Sequence, residues 1–253
     1  QGLVPSNQIS PLQISRSAVA EKSQNSVVAF LRDNYSNVID FSDIKVSKSG
    51  STNPDIVFYT NRGVRYQIEV KVLDNSKINI VGSYSPGASR NLRKKRLFRE
   101  FAYILRDEIK NEPRFKNLQL NSVKDSTEFY QKLETYIQNS GYKNTQFHFK
   151  NLSEITDLII SYYIESGDDF LFILTQKNHE INRIFNFQDR TKLFSSTSGE
   201  NGRWKNNPAY KSWNRFTIKS ASLNYHRENP REDSPRSPRS PKWFLSVKIG
   251  NEN

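Results

Sequence analysis

The stretch from Pro54 to Lys71 constrains this chain more than any other. It reads Pro54-Asp55-Ile56-Val57-Phe58-Tyr59-Thr60, a polar turn Asn61-Arg62-Gly63, then Val64-Arg65-Tyr66-Gln67-Ile68-Glu69-Val70-Lys71. Both arms alternate as strands do, and the three residues between them suit a hairpin loop. In the second arm Val64, Tyr66, Ile68, Val70 and Val72 share one face. Arg65, Gln67, Glu69 and Lys71 share the other, because side chains alternate across a strand. Asp55 opens the partner arm and comes within reach of Glu69 and Lys71. Two carboxylates and an ammonium at the head of a hairpin suit a divalent cation with a lysine beside it. The same residues also suit a plain surface hairpin carrying an i,i+2 ion pair.

Charge narrows the partners. The 253 residues hold 38 Lys plus Arg against 26 Asp plus Glu, a net +12 that favours polyanions. The most basic segment, Arg90 to Arg99, predicts the start of a helix running to about Lys110, with Phe98, Phe101, Ala102, Leu105 and Ile109 inward. Arg90, Arg93, Lys94, Lys95 and Arg96 crowd its first turns, where the helix dipole disfavours cations. Bound anions such as DNA phosphates would offset that cost; an ordinary solvated basic face is the alternative. With no cysteine, disulfides and thiolate metal sites are excluded. No apolar run has the length of a membrane span and no secretory pattern opens the chain, so the expectation is a cytoplasmic protein without a membrane partner.

The rest reads as one α/β domain over residues 1–253, with a central mixed β-sheet flanked by helices and a C-terminal β-hairpin elaboration. Residues 1–13 form a loose arm, 14–110 a core with the metal site, 111–187 the remaining sheet and helices, and 188–253 recognition loops and the hairpin. A helix from Ser15 to about Asn34 buries Ala20, Val27, Phe30 and Leu31. Strands are expected over 38–46, 77–81 and 145–150. Asp125 and Glu128 form a capping box for a helix to Asn139. Asn151 or Ser153 caps another, with Ile155, Leu158, Ile159 and Tyr162 inward and Gly167 ending it. Asp168-Asp169 reads as a solvated loop pair, or less simply as a metal site. Phe170 to Leu174 is a continuous apolar run, hence a central strand, with its neighbour at 181–187. The long loop 188–213 carries Trp204. Strands at 216–224 and 242–249 form a late hairpin whose tip repeats Ser-Pro-Arg, too rich in proline for a helix.

Pro54-Asp55, thirteen residues, then Glu69-Val70-Lys71 resembles the signature of the PD-(D/E)XK nucleases, the restriction-endonuclease-like superfamily. The resemblance implies a restriction-endonuclease-like core and Asp55, Glu69 and Lys71 as catalytic residues. It also implies Mg²⁺, with Mn²⁺ able to substitute, held by Asp55, Glu69 and the carbonyl of Val70. In that superfamily an acidic residue on the first helix often joins the metal site. Glu21 takes that place here, unless it is a solvated helix glutamate.

The second half is similar to compact type II restriction endonucleases that cut four-base G/C palindromes. The likeness runs through Phe170 to Lys177, Arg215 to Lys219, Tyr225-His226-Arg227 and Trp243 to Ile249. It implies double-stranded DNA as partner, products with 5′-phosphate and 3′-hydroxyl ends, base reading by His226 and Arg227, and compatibility with a homodimer. Lys219 and Trp204 join the α-helical cations as candidate DNA contacts. The branch often has Gln where this chain has Glu69, and its glycines after the basic pair are absent. A structure-specific nuclease such as a junction resolvase or repair enzyme, and a non-catalytic DNA-binding protein, are the other readings of the same residues.

Overall fold

The computed structural model describes residues 11–47, 53–73, 77–140, 144–188, 216–226 and 242–250. In chain order these form α1 (Pro11–Tyr35), β1 (Ile39–Val46), β2 (Ile56–Thr60), β3 (Arg65–Val72), β4 (Lys77–Asn79) and α2 (Leu92–Ile109). Two 3-10 turns (Pro113–Leu118, Leu120–Ser122) follow, then α3 (Ser126–Asn139), β5 (Asn144–His148), α4 (Leu152–Ile164) and β6 (Asp169–Thr175). The last strands are β7 (Ile181–Gln188), β8 (Ile218–His226) and β9 (Lys242–Ile249). The chain folds as two compact units.

The first unit holds α1 and a five-stranded mixed sheet in the order β1-β2-β3-β6-β7. Its one parallel pairing is β3 with β6; the other three are antiparallel. A parallel neighbour needs a long crossover, and here every element between β3 and β6 belongs to the second unit. The β2–β3 hairpin turns at Asn61-Arg62-Gly63, with Gly63 in the left-handed region at φ 77°. Such a conformation suits the last residue of a three-residue loop and carries no penalty for glycine.

The core of this unit lies where the alternation of β3 put it. Tyr66, Ile68 and Val70 face Val27, Leu31 and Tyr35 of α1, with Ile56, Phe58, Leu171, Ile173 and Ile184 filling in. Phe58 and Tyr66, paired across the hairpin, stack with ring centroids 5.1 Å apart. β6 is buried along its whole length, as a continuous apolar run demands. Truncating a fully buried member such as Leu31 to Ala would cost about 2–5 kcal/mol.

α1 begins at Pro11, four residues before the expected start at Ser15. Proline fits the first helical position, where its missing N–H would have had no partner. The expected loose arm therefore ends inside the helix at its C-terminal side, and residues 1–10 lie outside the described ones. The inward stripe also departs from expectation. Ala20 and Phe30 are only half-buried, whereas Ser23 and Gln24 are buried at 0% and 3% exposure.

The second unit pairs β4-β9-β8-β5 in one antiparallel sheet and adds α2, α3 and α4. The late hairpin forms as expected in addition to the central mixed sheet, and β4 and β5 join it to complete a four-stranded sheet. α2 belongs to the same unit as the hairpin strands. Trp243 is the centre of this core, with ring centroids 5.0 Å from Tyr130 and 5.2 Å from Tyr225. Its Nε1 donates to Glu134 at 2.7 Å. Burial pushes the Glu134 carboxyl above its ordinary range, and the Trp243 bond only partly opposes that.

The caps are mostly where the sequence puts them. Asp125 accepts from Glu128 N at 2.8 Å, while Glu128 reaches back to Lys124 N at 3.1 Å, one residue before the usual capping-box partner. Asn151, and not Ser153, caps α4. On that helix Tyr163 replaces Tyr162 as the inward residue, its hydroxyl donating to the Ile80 carbonyl. Leu158 and Tyr162 are half-buried.

Candidate active site

The ladder between β2 and β3 pairs Val57 with Gln67 and Ile56 with Ile68, then stops. Continuing that register by one step would set Asp55 opposite Glu69. Pro54 lacks an N–H and cannot prolong the ladder. Beyond its end, the backbone N–H of Val70 finds its acceptor in a side chain: Asp55 Oδ2 takes it at 2.8 Å. Asp55 Oδ1 accepts a second bond, 2.9 Å long, from Gln24 Nε2 on α1. Both carboxylate oxygens are thus held, one by β3 and one by the helix.

Glu69 and Lys71 project from the same face of β3 and form an ion pair, with side chains 17% and 24% exposed. Two residues further back, Gln67 and Arg65 both donate to Asp168 Oδ2. The polar face of β3 is therefore a continuous row: Arg65, Gln67 and Asp168, then Glu69 and Lys71. Asp168, expected as a solvated loop residue, is an ion-pair partner 21% exposed, and Asp169 is buried at 4% within β6. The reason lies in the parallel register, which aligns the start of β6 with Tyr66 and so delivers Asp168 beside Arg65.

Glu21, the expected third acid, is exposed. The α1 residue that meets Asp55 is Gln24, one turn further on. A signal for it was present in the sequence. Gln24 stands in phase with Ala20, Val27 and Leu31 on the helix stripe, and a polar group at an inward position needs a partner.

Arg93, Lys94 and Arg96 at the start of α2 have partners within the second unit. Glu165, which caps the C-terminus of α4, bridges Arg93 Nε at 3.1 Å and Arg96 at 3.0 Å. Arg93 also donates to the Tyr162 carbonyl and lies 5.1 Å over the Tyr162 ring. Lys94 Nζ donates to the Ser83 carbonyl at 3.2 Å, and Asn91 caps the helix by accepting from Lys94 N at 2.9 Å. Glu165 is therefore one anion that offsets the charge crowded at this helix start. Arg90 and Lys95 are exposed and carry no ion pair among the described residues. Lys219 is exposed on β8, and His226 ends that strand half-buried, opposite Asn144 and Lys242. Trp204 and Arg227 lie outside the described residues.

Among the described residues no three side chains of His, Cys, Asp or Glu gather as a metal cluster. What the geometry offers is two carboxylates on adjacent strands and a backbone carbonyl between Glu69 and Lys71. Such a set of hard oxygens suits a cation that keeps several of its waters, as Mg²⁺ does, better than one needing a full protein cage.

The described residues thus define a mixed α/β protein with a carboxylate–lysine site at the end of a hairpin ladder. No protein-family model matches the chain, and no curated protein does. Among solved structures it is similar to HhaI endonuclease in complex with DNA, at 13% identity and a TM-score of 0.41, over 92% of each chain. No helix among the described residues is long and apolar enough to cross a membrane.

Proposed function

We propose that this chain is a Mg²⁺-dependent endonuclease of the restriction-endonuclease-like class that hydrolyses double-stranded DNA at a specific sequence. The observation that supports it most is Asp55, fixed by the Val70 N–H, beside the Glu69–Lys71 pair on one strand face. Asp55, Glu69 and the Val70 carbonyl are the ligands in this reading. The chemistry supplied by bound Mg²⁺, with Mn²⁺ as substitute, is a water of lowered pKa and stabilisation of charge on the phosphate. Lys71 has a compact ammonium with three donors, which orients that water or answers the growing charge on the phosphate oxygens. Water oxygen bonds to phosphorus, the P–O3′ bond breaks, and a proton from solvent completes the 3′-hydroxyl. The 5′-phosphate stays on the other fragment.

Arg90, Arg93, Lys94, Lys95 and Arg96 on α2, together with Lys219, His226, Arg227 and Trp204, are the proposed DNA contacts, supported by the net charge of +12. A palindromic target would match a homodimer, since two-fold symmetry in DNA mirrors two-fold symmetry in protein. The test is digestion of a sequenced plasmid with and without Mg²⁺, followed by mapping of the ends. Discrete sites with 5′-phosphate ends, lost in Glu69→Ala, are expected. Lys71→Ala should be as inactive yet still bind metal. Cutting independent of Mg²⁺, or unaffected by Glu69→Ala, would remove the proposal; cutting only at junctions or lesions would replace the specificity with a structural one.

A further inference from the structure

Two adjacent polar residues of α1, Ser23 and Gln24, are buried at 0% and 3% exposure on a stripe otherwise apolar. Each has one long-range partner. Ser23 Oγ lies 3.1 Å from His179 Nδ1 at the turn between β6 and β7, and Gln24 Nε2 donates to Asp55 Oδ1 at 2.9 Å. A carboxylate turns easily about its last torsion. Asp55 is denied that freedom, because the Val70 N–H holds Oδ2 while the Gln24 amide holds Oδ1. The amide is neutral, so it restrains the carboxylate without neutralising it, and each oxygen keeps a lone pair for a cation.

We propose that Gln24 is the positioning residue of the site, presetting the Asp55 carboxylate for a divalent cation. This rests on the metal-site reading of Asp55 and Glu69. Groups that hold a ligand's far side typically carry roughly tenfold to a hundredfold of metal affinity. The helix turn is itself anchored through Ser23, so the donor reaches Asp55 from a fixed position.

The test uses Gln24→Met, which keeps side-chain length and loses the donor, and Gln24→Asn, which keeps the amide but withdraws it by one methylene. Ser23→Ala loosens the same turn without touching Asp55. The probe is Mn²⁺ alone, its binding to the intact protein followed by loss of the free-ion EPR signal. Half-saturating Mg²⁺ and kcat in plasmid cleavage are measured beside it. Both Gln24 variants should raise the Mn²⁺ dissociation constant and half-saturating Mg²⁺ by about tenfold or more. Their kcat at saturating Mg²⁺, and duplex affinity without metal, should stay near the parent's. Unchanged Mn²⁺ affinity in both variants, or an equal shift in Ser23→Ala, would overturn the inference. If Asp55→Ala abolishes Mn²⁺ binding while the Gln24 variants bind as the parent does, only this inference falls. If the parent binds no Mn²⁺, the metal-site reading falls, and the inference with it.

Discussion

Replacing Asp55 by Ala removes more than a ligand. Asp55 is the acceptor for the Val70 N–H at 2.8 Å and for the Gln24 amide at 2.9 Å, and Gln24 is 3% exposed. Truncation leaves both donors without that partner. A buried donor stripped of its partner costs about 1–3 kcal/mol. Asp55 itself is half-buried, so water can enter and satisfy part of the loss. The lower end of the range for each bond gives about 2–3 kcal/mol in total. For a chain of this size that is a fall in Tm of roughly 4–12 °C. Glu69→Ala makes a useful contrast, because the ion pair it breaks joins neighbours on a single strand, with Lys71 still 24% exposed and open to water. That change should cost under about 1 kcal/mol, as partly exposed ion pairs do. Both variants should abolish cleavage, so thermal or urea unfolding at one pH is the assay that separates them. If Asp55→Ala unfolds within about a degree of Glu69→Ala, the two bonds do not hold the ladder end as argued.

Neutralising Arg93, Lys94 and Arg96 together should weaken binding to any duplex and flatten its salt dependence, each lost phosphate contact removing about 0.9 from the log–log slope. Since Glu165 already engages Arg93 and Arg96, the loss should fall short of three contacts, and Glu165→Gln should tighten non-specific binding; a parental slope in the triple variant refutes the role of this helix. Arg227→Ala, a residue outside the described ones, should lower specific affinity about tenfold to a hundredfold, as loss of a bidentate guanine contact would. An unchanged ratio of specific to non-specific affinity at one salt concentration would make it a phosphate contact or a solvated residue. Glu134 holds its proton more tightly folded than its ordinary value of 4.5, because of burial, so its stabilisation is full below that value and is lost as pH rises through the raised one. Glu134→Gln should therefore raise stability at neutral pH and reduce the gain on acidification toward 4.5; equal pH profiles in unfolding experiments would count against it.

Local periodicity carried much of this architecture, and the places where it stopped have physical reasons. The alternation of β3 was enough to send Tyr66, Ile68 and Val70 to the core and Glu69 with Lys71 to the other face. The apolar run at Phe170 was enough to mark a central strand. Strand partners were another matter. β4 and β5 are short, and nothing local distinguishes the edge of one sheet from the edge of another. Long-range polar pairing was equally hidden. Gln24 meets a residue 31 positions away and Glu165 meets one 72 positions away, so neither spacing nor composition reveals which acid or amide answers which charge. The family resemblance points to an acid on this helix, hence Glu21, whereas the helix phase favours Gln24.

The place of the site at the end of a ladder follows from what the hairpin must do. A one-residue slip of β3 would send Glu69 and Lys71 into the core and Ile68 and Val70 out of it. Three features oppose that slip. Gly63 closes a short loop in a left-handed conformation, with Thr60 N donating to Val64 O at 2.9 Å. Phe58 stacks on Tyr66 in mid-hairpin, and Asp55 takes the Val70 N–H at its open end. The last of these is the only one made by a charged side chain, at the point where backbone pairing has stopped and an N–H is left over. An acid there is stabilised by the strand it faces and by the Gln24 amide of α1. The same residue that opposes the slip thus stands where the ladder register, continued by one step, would meet Glu69. Packing and chemistry are separated by the two faces of β3 and joined again at Asp55.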